Sequence, residues 1–201
     1  MKRRKLGVGA AALACVAVAG CAPLLVGGAA AGGALVATDR RTVGTQIDDE
    51  AIEQRINRAL AEKFPRDAAN ISVASYNRKV LLTGEVTTPQ GKSDAEEIAL
   101  RTENVRAVLN ELEVGFLSTI GARSDDTATT AKVRAALINA KEVPSATIRV
   151  VTEHGVVYLM GRVTETEGTY AGTVASRVSG VQRVVKAFDY LTPAEAAAPA
   201  K

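Results

Sequence analysis

Residues able to do chemistry are few in this sequence. The single histidine, His154, falls in a turn between two predicted strands. Nothing beside it along the chain completes a metal site or a catalytic triad, so it reads as an ordinary turn residue. The two cysteines, Cys15 and Cys21, both lie near the N-terminus, so the rest of the chain has neither a disulfide framework nor a cysteine metal cluster. No catalytic residue, metal ligand or cofactor motif is expected. What remains is charge placed beside an apolar residue. Arg134 and Lys141 bracket Ile138, with Lys132 at the flank and Arg123 further towards the N-terminus. Cations around an apolar contact suit anionic lipid headgroups, each Lys or Arg contributing about 1 kcal/mol.

The elements that must position these cations are repeated. Val80-Leu81-Leu82-Thr83-Gly84-Glu85-Val86 and Val157-Tyr158-Leu159-Met160-Gly161-Arg162-Val163 both read V-x-L-x-G-x-V. In a strand, successive side chains alternate between faces. Val, Leu, Gly and Val therefore share one face, while Thr83, Glu85, Met160 and Arg162 take the other, as in a strand with one buried side. Gly84 and Gly161 are expected to be structural, marking a bulge or a close backbone approach. At an offset of 77, Asp48-Asp49 falls on Asp125-Asp126, Ile56 on Val133 and Leu60 on Leu137; after the strand the offset is 76, with Ile98 on Val174 and Leu112 on Phe188. Two copies of one small domain lie in tandem, a duplication rather than a solenoid.

Each copy begins with a helical pattern: Ile52, Ile56, Ala59 and Leu60, then Thr129, Val133, Ala136, Leu137 and Ala140. Asp48-Asp49 and Asp125-Asp126 are N-cap candidates. Two strands follow, Ile71 to Tyr76 with Val80 to Val86, and Thr147 to Thr152 with Val156 to Val163. A second helix spans Pro89 to Asn104, then Glu165 to Ser179, the latter opened by a Thr164–Glu167 capping box. A third strand alternates through Val108-Asn110-Leu112-Val114 and Val184-Lys186-Phe188-Tyr190. The class is α+β: two tandem αββαβ domains, each a small mixed three-stranded sheet with two helices on one face. On the first helix of repeat two, 100° spacing puts Thr127, Ala131, Arg134, Ile138 and Lys141 opposite the buried side, with Lys132 at the flank and Arg123 just before the helix. The repeat-one counterparts, Glu50, Gln54, Asn57, Ala61 and Phe64, include no basic residue.

Composition agrees with small aliphatic cores: 47% hydrophobic, 3% aromatic and no Trp. The formal charge is +3, but Lys2, Arg3, Arg4 and Lys5 belong to a segment expected to be removed, leaving 21 of the 25 basic residues against 22 acidic ones. Residues 48–114 carry 9 basic and 13 acidic side chains, whereas residues 121–190 carry 9 and 7. That asymmetry points repeat two at something anionic.

The N-terminus reads as an address. Residues 1–20 pair a basic start with an apolar run too short and too glycine-interrupted to span a bilayer. Val18-Ala19-Gly20-Cys21 resembles the lipobox of bacterial lipoproteins, which implies acylation of Cys21 as the first mature residue. Ala22 at the second mature position is not the Asp associated with inner-membrane retention, so the resemblance implies an outer-membrane anchor. The expected organisation is signal peptide 1–20, acylated N-terminus and flexible tether 21–47, domain one 48–115, linker 116–124, domain two 125–191 and disordered tail 192–201. Within the tether, Arg40-Arg41 read as solvated or phosphate-touching cations.

The lipobox, the tandem αββαβ pattern with V-x-L-x-G-x-V, and the closing Ser179-Gly-Val-Gln-Arg-Val-Val together resemble the dual BON-domain outer-membrane lipoproteins of Gram-negative bacteria, over nearly the whole chain. That resemblance implies a non-enzymatic periplasmic-facing protein that binds anionic phospholipids of the outer membrane's inner leaflet through its second repeat. It also implies a role in outer-membrane integrity and enrichment at the division site. Some members carry an aromatic early in the first helix of repeat two, where this chain has Thr127-Ala128-Thr129. A protein–protein adaptor for an envelope assembly or division factor is the alternative reading. A periplasmic address and few stacking aromatics argue against nucleic acid.

Overall fold

The computed structural model describes residues 39–65 and 67–198, which belong to one compact unit. Residues 1–20, Cys21 and the tether up to residue 38 lie outside the described residues.

Repeat one opens with α1, Val43–Lys63. Its N-cap is Thr42, whose hydroxyl accepts from the Thr45 amide. Ile52, Ile56 and Leu60 form its buried side. β1 (Ala69–Tyr76) and β2 (Lys79–Val86) pair antiparallel from Ala69↔Val86 to Tyr76↔Lys79. Asn77 and Arg78 join them with φ of 54° and 62°, the left-handed pair that a two-residue hairpin twisting with its strands requires. α2 (Pro89–Arg101) starts at the Thr88 cap with proline in its first turn. β3 (Ala107–Asn110) and β4 (Glu113–Val114) both run parallel to β2. The third strand is thus broken where buried Leu112 turns into the core.

Repeat two follows the same plan. α3 is Ile120–Asn139, capped by Thr119. β5 (Ile148–Glu153) and β6 (Val156–Thr164) pair antiparallel through the left-handed His154-Gly155 turn. α4 (Glu165–Ser176) carries the expected capping box. β7 (Arg183–Lys186) and β8 (Asp189–Leu191) run parallel to β6, with buried Phe188 at the break. Each repeat is a mixed sheet with its helices on one face. In repeat one, Val80, Leu82 and Val86 pack beneath Ile52, Ile56, Ala95 and Ala99. In repeat two, Val157, Leu159 and Val163 pack beneath Val133, Leu137, Ala171 and Ala175.

Four expectations are corrected. The V-x-L-x-G-x-V strands are buried on both sides, not one. Leu81, Thr83, Glu85, Tyr158 and Met160 are at most 3% exposed. Ala74, Tyr76, Leu81, Tyr158 and Met160 form one apolar cluster, because the helix-free faces of the two sheets pack on each other. The aspartate pairs are not N-caps, since α1 and α3 begin five or more residues earlier. Asp49 and Asp126 instead sit in the second turn and reach across to the hairpins. Asp49 accepts from the amides of Asn77 and Arg78, and Asp126 from those of His154 and Gly155. Residues 39–47 are fixed, not tether. Arg40 forms a two-pronged pair with Glu167 and donates to the Arg162 carbonyl, while Arg41 pairs with Asp39 and Asp49 and stacks 3.9 Å from the Tyr76 ring centre. Within the tail, Pro193–Ala197 forms a short helix, α5, on a Thr192–Glu195 capping box.

Candidate functional site

α3 carries the cations singled out by type. Val133 and Leu137 are buried against the sheet, which turns Ser124, Thr127, Ala128, Ala131, Ala135 and Ile138 outward as an exposed crest of mostly small residues. Ile138 is 69% exposed. Arg134 lies beside this crest, and Lys132 lies about 160° round the helix from Arg134, on its far flank. Two placements differ from expectation. Arg123 lies inside the first turn of α3 rather than before it, and Lys141 lies beyond the Ala140 C-cap, in the turn that follows. All four cations are exposed, and among the described residues none has a carboxylate partner.

Arg123, Thr127, Thr130 and Arg134 repeat at helical spacing along the side of α3 that meets repeat one. They line a cleft of about 370 Å3 together with Asn70 and Ser72 of β1 and Arg149 of β5. Arg123 donates to Asn70 Oδ1 at 3.2 Å, and Arg134 to the Val150 carbonyl at 3.4 Å. Arg149 is tied to Glu53 and the Ser75 carbonyl, so its charge is already matched. Arg149 was not singled out from sequence. Its only signal was a charge on the strand face opposite Ile148 and Val150, which means little until a second sheet is known to lie there.

The helix that repeat one offers at the same place is different. α1 contains five acidic side chains against three basic ones, whereas α3 contains two acidic and three basic. Phe64, one of the α1 counterparts of the stripe, is drawn against the core.

His154 is not the solitary turn residue expected. Its Nε2 lies 2.7 Å from Glu85 Oε1, and its Nδ1 lies 3.3 Å from Glu113 Oε2. Burial acts to lower its pKa, but the carboxylates of Glu85, Glu113 and Glu153 outweigh that and the net shift is upward. Burial, then the charge of Glu85, raises Glu153. Nearby, burial followed by the Glu111 carboxylate pushes the Tyr158 phenol up to about 12. The partners that seemed to be missing come from repeat one, which the linear sequence leaves about 40 to 70 residues away.

Against known families, the BON domain matches twice, over residues 48–115 and 125–192. The chain belongs to the BON-domain family. It is similar to an outer membrane lipoprotein, DolP, of Haemophilus influenzae, 37% identical over 86% of this chain and 89% of that protein. A 21 kDa hemolysin of Actinobacillus pleuropneumoniae is 34% identical over 76% of this chain and 79% of its own. An osmotically inducible protein Y of Escherichia coli is 31% identical over 76% and 77%. By family the chain is a dual BON-domain outer-membrane lipoprotein. Among the described residues no helix is long and apolar enough to cross a membrane.

Proposed function

We propose that this protein, anchored through acylated Cys21 and facing the periplasm, recognises anionic phospholipid of the outer membrane's inner leaflet through its second BON repeat. The anchor, the lipid role and the periplasmic orientation are our reading, as is the absence of catalysis. One observation carries it: the α3 crest around exposed Ile138 is bordered by Arg134, Lys132 and Arg123, with Lys141 just beyond, and none of them is neutralised by a carboxylate among the described residues. A shallow small-residue crest lets the helix lie close to the headgroups, where each cation contributes about 1 kcal/mol and the attraction decays within about 8 Å at physiological salt.

The test is vesicle flotation of the unacylated form beginning at Ala22. Arg134→Glu with Lys141→Glu should weaken binding to phosphatidylglycerol-containing vesicles by at least about 2 kcal/mol, near thirtyfold. Gln54→Glu with Asn57→Glu on α1 should leave it unchanged, with circular dichroism reporting the fold of both. A folded α3 variant that floats as the unmodified protein does would remove α3 as the lipid site. Salt-sensitive capture of an envelope protein without vesicle binding would favour the adaptor reading.

A further inference from the structure

The two hairpin turns meet the opposite repeat in equivalent places, but with unequal charge. Asn77, in the β1–β2 turn, donates to Asp189 Oδ2 of repeat two at 2.7 Å. His154 is its counterpart in the β5–β6 turn and faces Glu113, the counterpart of Asp189. On the Asn77 side the chain supplies two cations to the carboxylate: Lys79 Nζ at 2.7 Å from Asp189 Oδ1, and Arg106 at 2.6 Å from Oδ2. On the His154 side those two positions are Val156 and Gln182. Glu85, Glu113 and Glu153 are gathered there around the imidazole.

The donor atoms are close enough to share an ion. One ligand atom each from Glu85, Glu153 and His154 lie within 4.8 Å of one another. Glu85 is 2% exposed; its Oε2 accepts from Asn70, but its Oε1 has no aligned hydrogen bond despite lying 2.7 Å from His154 Nε2. Glu85 Oε1 thus keeps a lone pair that no hydrogen bond uses, next to an imidazole nitrogen that can serve as a second ligand atom. A tetrahedral zinc ion with bonds of about 2.0–2.1 Å would hold them about 3.3–3.4 Å apart, so binding would open this contact by about 0.6 Å. One imidazole with two carboxylates selects a first-row divalent ion of the zinc type over magnesium or calcium, which take oxygen alone.

We propose that Glu85, Glu153 and His154 form a site for a zinc-type divalent cation, which ties the β5–β6 turn of repeat two to β2 of repeat one, at the junction that lacks the lysine and arginine found at its equivalent.

The chain's single histidine gives one set of imidazole proton resonances, so binding is read without ambiguity in the tag-free form beginning at Ala22, which also lacks both cysteines. Zinc chloride should move those resonances to saturation at one equivalent, while magnesium chloride leaves them in place. Calorimetric titration should show zinc affinity falling at least about tenfold in Glu85→Gln and in Glu153→Gln. Because Glu85 is buried and its variant could fail to fold, exposed Gln182→Arg serves as a second probe. It restores a chain cation at the position equivalent to Arg106 and should weaken zinc by a similar factor without loss of fold. Imidazole resonances unmoved by zinc would overturn the site. So would zinc affinity unchanged in both folded Glu153→Gln and Gln182→Arg.

Discussion

Repeats one and two use one backbone plan with opposite polarity at the same positions. Glu85 and Arg162 are counterparts on the helix-free face of their sheets; so are Thr83 and Met160, and Leu81 and Tyr158. Each set would make an unremarkable outer face if its repeat stood alone. Packed together, they form a junction whose centre is apolar and whose two ends are polar and unlike. The two glycines differ in the same way. Gly84 has φ of +103°, and a Cβ there would sit 2.0 Å from the Asn70 carbonyl oxygen. Gly161 is held by crowding alone, its notional Cβ 2.6 Å from the Thr147 carbonyl. Duplication preserved the hairpins and their aspartate caps while the paired faces diverged to fit each other.

The largest expected effect separates the glycines. Gly84→Ala adds a left-handed strain to a backbone clash and should cost about 4 kcal/mol, whereas Gly161→Ala should cost about half as much. Guanidinium unfolding of the two variants measures the gap; equal costs would mean that crowding alone governs both positions.

Next is the junction itself. Met160→Ala removes a fully buried side chain from the sheet–sheet cluster and should destabilise the protein by about 3 kcal/mol. On a solvent-facing strand the same change would cost almost nothing, so an unchanged midpoint would mean the two sheets do not stay packed in solution.

The smallest effect concerns acid. Burial acts to raise the Asp189 pKa, but Lys79, Asn77 and Arg106 more than reverse it. Arg40, hydrogen-bonded to Glu167, likewise holds that carboxylate below its ordinary value. A carboxylate depressed in the folded state stabilises above its unfolded value, near pH 4, and that stability is lost as pH falls through the folded value. Asp189→Asn with Glu167→Gln should therefore cost about 1 kcal/mol per pair at pH 7 and flatten the loss of melting temperature below about pH 4. A variant with the same acid slope as the unmodified protein would show that these pairs do not set it.

Periodicity alone determined a good deal. The αββαβ order, the duplicated strand, the Thr164–Glu167 box and the inward Val133–Leu137 stripe follow from spacing, because a helix or strand must put its apolar side chains on one face wherever it packs. Charge type likewise marked α3 over α1. What spacing left open was the second face of each sheet. Thr83 and Glu85 look solvent-facing in sequence, since polar residues alternating with apolar ones normally mean water on one side. Their burial depends on a second sheet arriving from residues 148–186. The same docking turned Arg149 into a cleft wall, matched Arg40 to Glu167, and brought Glu85 and Glu113 to His154. Contacts between residues forty to more than a hundred positions apart follow from how two surfaces fit in three dimensions, and that fit has no local period to read.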